Sequence, residues 1–159
     1  MIFITVGTQV AFDRMIRAID GWASLHSDID FFAQIGPAKY IPKNLAYQQF
    51  LSPADFQEKF DKAALVIAHA GMGTIINALQ TEKPLLVMPR KAILKEQRND
   101  HQLATAAGFK KLGFINVAMD ENELKEKLND LKNIKVMKRI GEFASASLIR
   151  SIREFINNN

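Results

Sequence analysis

The sequence predicts an α/β fold with a doubly wound, Rossmann-like parallel sheet, formed by a single domain over residues 1–159. Short apolar segments rich in β-branched residues alternate along the chain with segments in which apolar residues recur at helical spacing. Two apolar segments, Leu65–Ala68 and Leu85–Met88, show no polar alternation, as expected for strands buried on both faces of a parallel sheet. A length of 159 residues is typical of one domain with its own core.

The first half of the chain predicts three strands and two helices. Apolar residues between Phe12 and about Leu25 have the spacing of a helix that buries one face. A second helix begins at Ser52, an N-cap residue, with Pro53 at its first helical position. The predicted strands are Ile2–Val6, Phe31–Ile35 and Ala46–Phe50.

The second half continues the alternation with three more strands. Asp120 and Glu123 form a capping-box pattern at the start of one helix, and a loop is predicted from Arg90 to about Arg98. The predicted strands are Leu65–Ala68, Leu85–Met88 and Phe114–Val117. The other helices are predicted from Gly71–Thr74 to about Thr81, from about Arg98 to near Gly108, and over about residues 138–156.

The composition excludes several kinds of site. The chain has no cysteine, which excludes disulfides, thiolate catalysis and zinc–cysteine sites. The sequence contains no run of about 18 apolar residues, so it predicts no membrane-spanning helix. The apolar start, Met1–Val6, is too short for a signal peptide and lacks a basic leader, so we expect a cytoplasmic protein.

Positive charge is concentrated at the carboxyl-terminal end. From Lys132 onward, basic residues exceed acidic ones by four, which equals the formal net charge of +4 for the whole chain. Such an end suits an anionic neighbour, such as lipid headgroups or an acidic partner surface, or it forms the solvated face of a helix. The basic residues are not interleaved with exposed aromatic residues, so we expect no nucleic acid partner. The basic residues are Lys132, Lys135, Lys138, Arg139, Arg150 and Arg153, and the acidic ones are Glu142 and Glu154.

The first candidate loop for binding, Gly7-Thr8-Gln9, directly follows the first predicted strand. In doubly wound folds, ligands bind beyond the carboxyl ends of the strands, where this loop lies. Gly7 allows a ligand to approach the backbone closely, and Thr8 and Gln9 bring polar side chains to the same place. The loop is equally consistent with a plain strand-to-helix turn.

The segment His69–Thr74, with the sequence His-Ala-Gly-Met-Gly-Thr, follows the most apolar strand. Its two glycines free the backbone, so that N–H groups at the start of the next helix can face an anion. The third glycine of a dinucleotide fingerprint is replaced by Ile76, and the lysine of a P-loop is absent. The segment therefore predicts a diphosphate-binding loop of another type, in which His69 either contacts the ligand or only packs beside the sheet.

A third polar segment, Asp100-His101-Gln102, lies at the front of a predicted helix. Its side chains offer several hydrogen-bond donors and acceptors within one turn, which suits recognition of sugar hydroxyls. Alternatively, Asp100 only caps the helix, or it ligates a metal with His69 and His101, although no spacing on one helix face supports a metal site. Because all three segments follow strands of one sheet, we expect them to line one binding site.

Four segments, spread in order over about two-thirds of the chain, carry a family resemblance. They are Thr5–Gln9 with Phe12–Arg14, then His69–Thr74, then Lys83-Pro84 through Pro89-Arg90, and finally Asn99–Gln102. In these segments the chain resembles the carboxyl-terminal domain of family 28 glycosyltransferases, which is the carboxyl-terminal half of a GT-B fold. It is most similar to small split members, namely the Alg13-type subunit of the N-acetylglucosaminyltransferase for dolichol-linked sugars and the PssE/EpsE-type subunits of bacterial exopolysaccharide biosynthesis.

The resemblance implies a UDP-sugar substrate and a site that needs no metal and no cofactor. The residues implied for the diphosphate are Gly7, Thr8, Gln9, Gly71, Met72, Gly73 and Thr74. Those implied for the sugar are His69, Asp100, His101 and Gln102, and those for the nucleoside are Phe50, Leu51 and Asn77. Asn77 departs from the family, which commonly has a glutamate there to hold the ribose hydroxyls. An inactive nucleotide-sugar-binding module or regulatory subunit is therefore the alternative hypothesis.

The resemblance also implies a second chain. A complete GT-B enzyme has two such domains, and the acceptor site and usually the catalytic base lie on the amino-terminal one, so no catalytic residue is assigned here. In split members a membrane-associated, Alg14/PssD-like subunit supplies that domain. We therefore expect a heterodimer at the inner face of the membrane that moves a hexose or N-acetylhexosamine from UDP to a lipid-linked acceptor. The final predicted helix either docks on this partner or packs on its own domain.

Overall fold

The computed structural model describes residues 1–137, 140 and 144–158, and it contains one six-stranded parallel sheet. The strands are β1 (Ile2–Thr5), β2 (Phe31–Gln34), β3 (Ala46–Gln48), β4 (Leu65–His69), β5 (Leu85–Met88) and β6 (Asn116–Val117). Their order is β3-β2-β1-β4-β5-β6, and every neighbouring pair is parallel. The predicted doubly wound fold is confirmed, with its switch point between β1 and β4.

Six α-helices connect or follow the strands. They are α1 (Asp13–Ala23), α2 (Pro53–Lys62), α3 (Met72–Gln80), α4 (His101–Lys111), α5 (Glu121–Asn129) and α6 (Ala146–Asn157). Within the described residues, none of these helices is both long enough and apolar enough to cross a bilayer. The predicted alternation of strands and helices is therefore confirmed in its order.

The helices cover both faces of the sheet, which is why the central strands β1, β4 and β5 are buried and mostly apolar, whereas the edge strand β3 is exposed. Side chains alternate along β1: Ile2 and Ile4 pack into one core cluster, whereas Phe3 packs into the other. The first cluster includes residues of α1 and α5, and the second includes residues of α2, α3 and α4. A sheet buried on both faces holds its strand ends rigidly, so the loops that leave those ends are well positioned.

Both predicted helix starts with side-chain caps are confirmed. The Ser52 hydroxyl accepts a hydrogen bond from the Asp55 N–H at 3.1 Å. Asp120 Oδ1 accepts from the N–H of Glu123 at 3.0 Å. In return, the Glu123 carboxylate accepts from the Met119 N–H at 3.0 Å, one residue earlier than in a standard capping box.

The predicted end of α4 near Gly108 is wrong, because α4 continues to Lys111. The glycine that ends the helix is Gly113, which has a φ of 70°. Its N–H donates to Lys110 O at 3.0 Å, and the Phe114 N–H donates to Phe109 O at 3.0 Å. This pair of bonds is a Schellman motif, and the Phe109 and Phe114 rings pack against each other at 6.0 Å between centroids.

The final predicted helix is shorter than expected. Of its predicted first residues, 138, 139 and 141–143 lie outside the described residues, and Ile140 and Ala144 are not helical. α6 begins after Ser145, whose hydroxyl accepts a hydrogen bond from the Leu148 N–H at 3.3 Å. A serine in the capping position therefore determines where this helix begins.

Candidate functional site

A cavity of about 500 Å³ lies at the switch point of the sheet, beyond the carboxyl ends of β1, β4 and β5. Its volume is in the range of small-molecule sites. The structure brings ten of the predicted site residues together in its lining: Gly7, Thr8, Gln9, His69, Gly71, Met72, Gly73, Thr74, His101 and Gln102. The three polar segments that the sequence predicted as one site therefore meet in space.

Four predicted site residues lie outside this lining. Asp100 Oδ1 accepts a hydrogen bond from the Ala92 N–H at 2.8 Å, so this carboxylate holds the preceding loop. Phe50 follows the edge strand β3 and is 52% exposed, and Leu51 packs against the second core cluster. Asn77 lies on α3, partly buried. Their assignment to sugar or nucleoside stays a prediction.

The position of the His69 imidazole explains why residues 7 and 71 are glycine. A Cβ at Gly7 would approach His69 Cε1 to 2.9 Å, and a Cβ at Gly71 would approach the same atom to 2.8 Å. Gly7 also has a φ of 73°, a conformation that favours glycine. His69 thus fills the space between the two loops, and both chain segments can approach it only because they lack side chains there.

Gly73 has no such packing reason to be glycine. A Cβ at Gly73 would meet nothing within 4 Å, and the residue is exposed at the first turn of α3. The N–H groups of Met72, Gly73 and Thr74 have no acceptor within the helix, and no side chain in the described part of the chain caps α3. This end of α3 therefore presents free N–H donors and the positive end of a helix dipole to the cavity.

Arg90 lines the same cavity, although it is not among the residues that the sequence predicted for the site. It lies two residues after β5 and is only 2% exposed. One of its terminal nitrogens, Nη2, donates to Val6 O at 2.8 Å and also to Val10 O. Its backbone N–H donates to Gln102 Oε1 at 3.2 Å. The sequence signals were its position after a strand and its place at the end of a segment that carries the family resemblance. Neither signal shows burial, because arginine is rarely buried and burial depends on tertiary packing.

Electrostatically, the cavity is positive. Among the residues that line it, none carries a carboxylate, whereas Arg90 carries a guanidinium group. Burial lowers the pKa of Arg90 to about 10, which leaves it charged at neutral pH. Burial also lowers the pKa of His69 to about 4, with a further contribution from the nearby charge of Arg90, so His69 is neutral at pH 7. The described residues contain no group of three or more histidine, aspartate or glutamate side chains that could hold a metal.

A partly buried ion-pair network fixes the loop that follows Arg90. Arg14 donates through Nε and Nη2 to both oxygens of Glu96, at 2.7 and 2.8 Å, and through Nη1 to Glu121 at 2.8 Å. Glu96 also accepts from the Lys91 N–H at 3.0 Å. These bonds attach the loop to α1 and α5, so its approach to the cavity is rigidly set.

Comparison with solved structures defines the class of protein. An NMR structure of ALG13 aligns with a TM-score of 0.61 and 19% identity over 89% of this chain and 90% of that one. A crystal structure of MurG from Acinetobacter baumannii aligns with a TM-score of 0.56 and 19% identity, over 82% of this chain and 41% of that one. The fold is that of the carboxyl-terminal domain of a GT-B glycosyltransferase, as the sequence predicted.

The family follows from the sequence match. The family model described as "Glycosyltransferase family 28 C-terminal domain" matches residues 1–147, so the chain belongs to this family. A human relative named "UDP-N-acetylglucosamine transferase subunit ALG13" is 30% identical over 124 residues. That match covers 72% of this chain but 10% of the relative, so the chain spans about a tenth of that relative's length. The predicted family resemblance is confirmed.

Proposed function

We propose that this chain is the donor-binding subunit of a two-chain glycosyltransferase that uses a UDP-sugar. The observation that carries the proposal is the open N-terminus of α3, which faces a carboxylate-free cavity in a chain of this family. Free N–H groups at a helix N-terminus are a common phosphate site. The name of the relatives, "UDP-N-acetylglucosamine transferase subunit ALG13", makes UDP-N-acetylglucosamine the first donor to test, among UDP-linked hexoses and N-acetylhexosamines.

The diphosphate would lie against the first turn of α3, with Gly7 and Thr8 on the opposite side. During transfer, the bond between the anomeric carbon and the diphosphate oxygen breaks, and its electron pair stays on the leaving diphosphate. The acceptor oxygen forms the new bond to the anomeric carbon and loses its proton to a base. Oriented N–H groups stabilise the leaving charge without a metal, which makes the proposed site metal-independent.

The sugar would extend toward the start of α4. Gln102 is buried and its Oε1 is already engaged by the Arg90 N–H, so its amide nitrogen is the group available for a hydroxyl. His101 is exposed, and its Nδ1 contacts Asn99 Oδ1, which leaves Nε2 for a ligand. Hydrogen bonds from such side chains would select a sugar by its hydroxyl pattern.

A partner chain would supply the acceptor site and the catalytic base. We assign to it the membrane-associated, Alg14/PssD-like role implied by the family resemblance, with a lipid-linked acceptor at the cytoplasmic face of the membrane. α6 is the proposed docking element, since none of its described residues is buried and four of its large apolar side chains are exposed. Those side chains are Leu148, Ile152, Phe155 and Ile156.

Calorimetric titration with UDP and UDP-N-acetylglucosamine tests the proposal, with Gly73→Ala as the decisive variant. A Cβ at Gly73 stands in open space beside the free N–H groups, so it should lower UDP affinity at least about tenfold. The same change should raise the free energy of unfolding by about 0.5–1 kcal/mol, because alanine favours a helix.

Gly108→Ala is the matched control for this experiment. Gly108 is also an exposed helical glycine whose added Cβ would meet nothing within 4 Å, but it lies outside the cavity lining. It should gain the same stability and keep the wild-type affinity. Equal UDP affinity in the two variants, or no UDP binding by the wild type, would contradict the proposed function.

A further inference from the structure

Arg90 is a buried cation whose position is fixed at both ends. Its guanidinium is held by the carbonyls of Val6 and Val10, and its backbone N–H is held by Gln102. The guanidinium carbon also lies 5.2 Å from the centroid of the Phe12 ring. A side chain held in this way loses little further conformational freedom when it binds a ligand.

The positive charge of Arg90 is not balanced by a carboxylate. Among the described residues, Arg90 forms no ion pair, and the partly buried ion pairs belong to Arg14. The charge of Glu96 acts on Arg90 from a distance and raises its pKa, but the Glu96 carboxylate is hydrogen-bonded to Arg14 and to the Lys91 N–H. In addition, the Nε atom of Arg90 is buried and has no hydrogen-bond partner within the described part of the chain.

Such an arrangement is costly for the unliganded protein. Burying a charge without a paired counter-charge disfavours folding, and a buried N–H without an acceptor adds to this cost. The cavity that Arg90 lines also receives the positive end of the α3 dipole, while no carboxylate lines it. The two positive features come from separate elements and suit the binding of one anion.

We propose that Arg90 directly contacts the phosphate groups of the ligand and is the residue that makes binding depend on phosphate charge. This inference rests on the proposed function only for the identity of the ligand as a nucleoside diphosphate. A guanidinium group suits phosphate because its charged N–H groups donate in fixed directions. Nη2 already donates to the carbonyls of Val6 and Val10, so the contact with phosphate falls to the other nitrogens of the group. The unpartnered Nε gains an acceptor in that complex, and the N–H groups at the start of α3 bind the same ligand.

The test compares Arg90→Gln with Lys95→Gln, using inorganic pyrophosphate, UDP and uridine as ligands. Lys95 is exposed and outside the cavity lining, on the loop that follows Arg90, so the control removes the same charge from the same loop. Arg90→Gln should weaken pyrophosphate and UDP by about 10- to 100-fold, as expected for a charged hydrogen bond. Its affinity for uridine, followed by chemical-shift titration, should stay within about twofold of wild type.

The outcomes separate this inference from the proposed function. If the wild type binds UDP and Arg90→Gln binds it equally well, or if both variants lose equal affinity, the inference is overturned and the donor site stands. If the wild type binds pyrophosphate through Arg90 but shows no preference for UDP, the proposed function fails and the anion contact stands. Binding of neither ligand by the wild type would overturn both.

A second measurement does not depend on whether Arg90→Gln folds. In the wild-type protein, the Nε–H resonance of Arg90 reports directly on a new hydrogen bond at that atom. Pyrophosphate or UDP should shift this resonance and slow its exchange with water, because a free N–H acquires a charged acceptor. An Arg90 Nε–H signal that stays unchanged at saturating pyrophosphate would refute the contact.

Discussion

Asp20 and Arg90 are equally buried, each 2% exposed, but their surroundings differ. The Asp20 carboxylate accepts hydrogen bonds from the Tyr40 hydroxyl at 2.6 Å, the Lys43 N–H at 3.0 Å and the Asn44 N–H at 2.7 Å. Arg90 has two carbonyl partners but leaves Nε without one among the described residues. The buried anion is satisfied within its own chain, whereas the buried cation is satisfied only in part.

The difference separates a structural charge from one available for a ligand. Asp20 lies on α1 and joins this helix to the segment around residues 40–44, so its hydrogen bonds hold a surface connection in place. Burial alone would raise the pKa of Asp20, but the bonds from Tyr40 and from the Asn44 and Lys43 N–H groups lower it overall. Arg90 instead lines the cavity at the switch point, where a ligand can complete its coordination.

The largest expected effect is the loss of stability in Asp20→Ala. This change leaves a tyrosine hydroxyl and two backbone N–H groups without their acceptor, which should cost about 3 kcal/mol or more of unfolding free energy. Urea denaturation of the variant and the wild type measures this loss of unfolding free energy. Asp28→Ala, at an exposed aspartate, should change stability by less than about 0.5 kcal/mol.

The Asp20→Ala variant is also tested for its affinity for UDP. Under conditions where Asp20→Ala remains folded, its affinity for UDP should match wild type within about twofold, since Asp20 lies outside the cavity lining. A stability loss below about 1 kcal/mol, or a tenfold loss of UDP affinity, would contradict the assignment of Asp20 to a structural role and Arg90 to ligand binding.

An intermediate effect is expected for the pH dependence that His69 produces. The pKa of His69 is about 4 in the folded protein, below the ordinary histidine value of 6.5, so the unfolded chain binds the proton more strongly. Stability should therefore fall as pH falls from about 7 to 4, by about 1–2 kcal/mol between pH 7 and pH 5. Asp20, with its lowered pKa, loses its contribution only below the ordinary value of 3.8.

Urea denaturation at pH 7 and pH 5 isolates the His69 contribution when wild type is compared with His69→Gln. The variant lacks the titrating group, so the wild type should lose about 1–2 kcal/mol more than the variant between the two pH values. The variant's absolute stability is not the readout, because glutamine fills the space between Gly7 and Gly71 differently. Parallel pH profiles for the two proteins would show that His69 is not held neutral by burial.

The smallest effect is expected at Asn77. This residue motivates the alternative hypothesis of an inactive nucleotide-sugar-binding module. Replacing Asn77 with glutamate, the residue common in this family, should raise UDP affinity by about three- to tenfold through a charged hydrogen bond to the ribose. Pyrophosphate affinity and the free energy of unfolding should barely change. Gln80→Glu is the control, since it adds the same charge at an exposed position of the same helix.

Calorimetric titration of both variants decides this point. Equal UDP affinity in Asn77→Glu and wild type would show that this residue does not contact the ribose, and the nucleoside assignment would move elsewhere. Glycosyl transfer by the wild-type chain together with its partner would exclude an inactive module whatever the effect at position 77.

Predictions from the sequence succeeded where the deciding interactions are local. Ser52 and Asp120 cap their helices through residues that lie three positions away, and such bonds need no tertiary structure. The two glycine loops also follow from local order, since each comes directly after an apolar strand. The end of α4 was missed because two glycines, Gly108 and Gly113, compete locally, and only Gly113 has the positive φ that ends the helix.

The fold class, the family and the loops that line the cavity follow from the amino-acid sequence alone, because strand and helix periodicity and short motifs are written along the chain. Tertiary packing decides which residues around the cavity are buried, which of their charges are balanced by a neighbour, and which of them lie close together. Only packing shows that His69 fills the space of two missing side chains, and that Arg90 is buried without a carboxylate. Burial and charge balance depend on residues distant in sequence, here up to 84 positions apart between Val6 and Arg90, so no local pattern could reveal them.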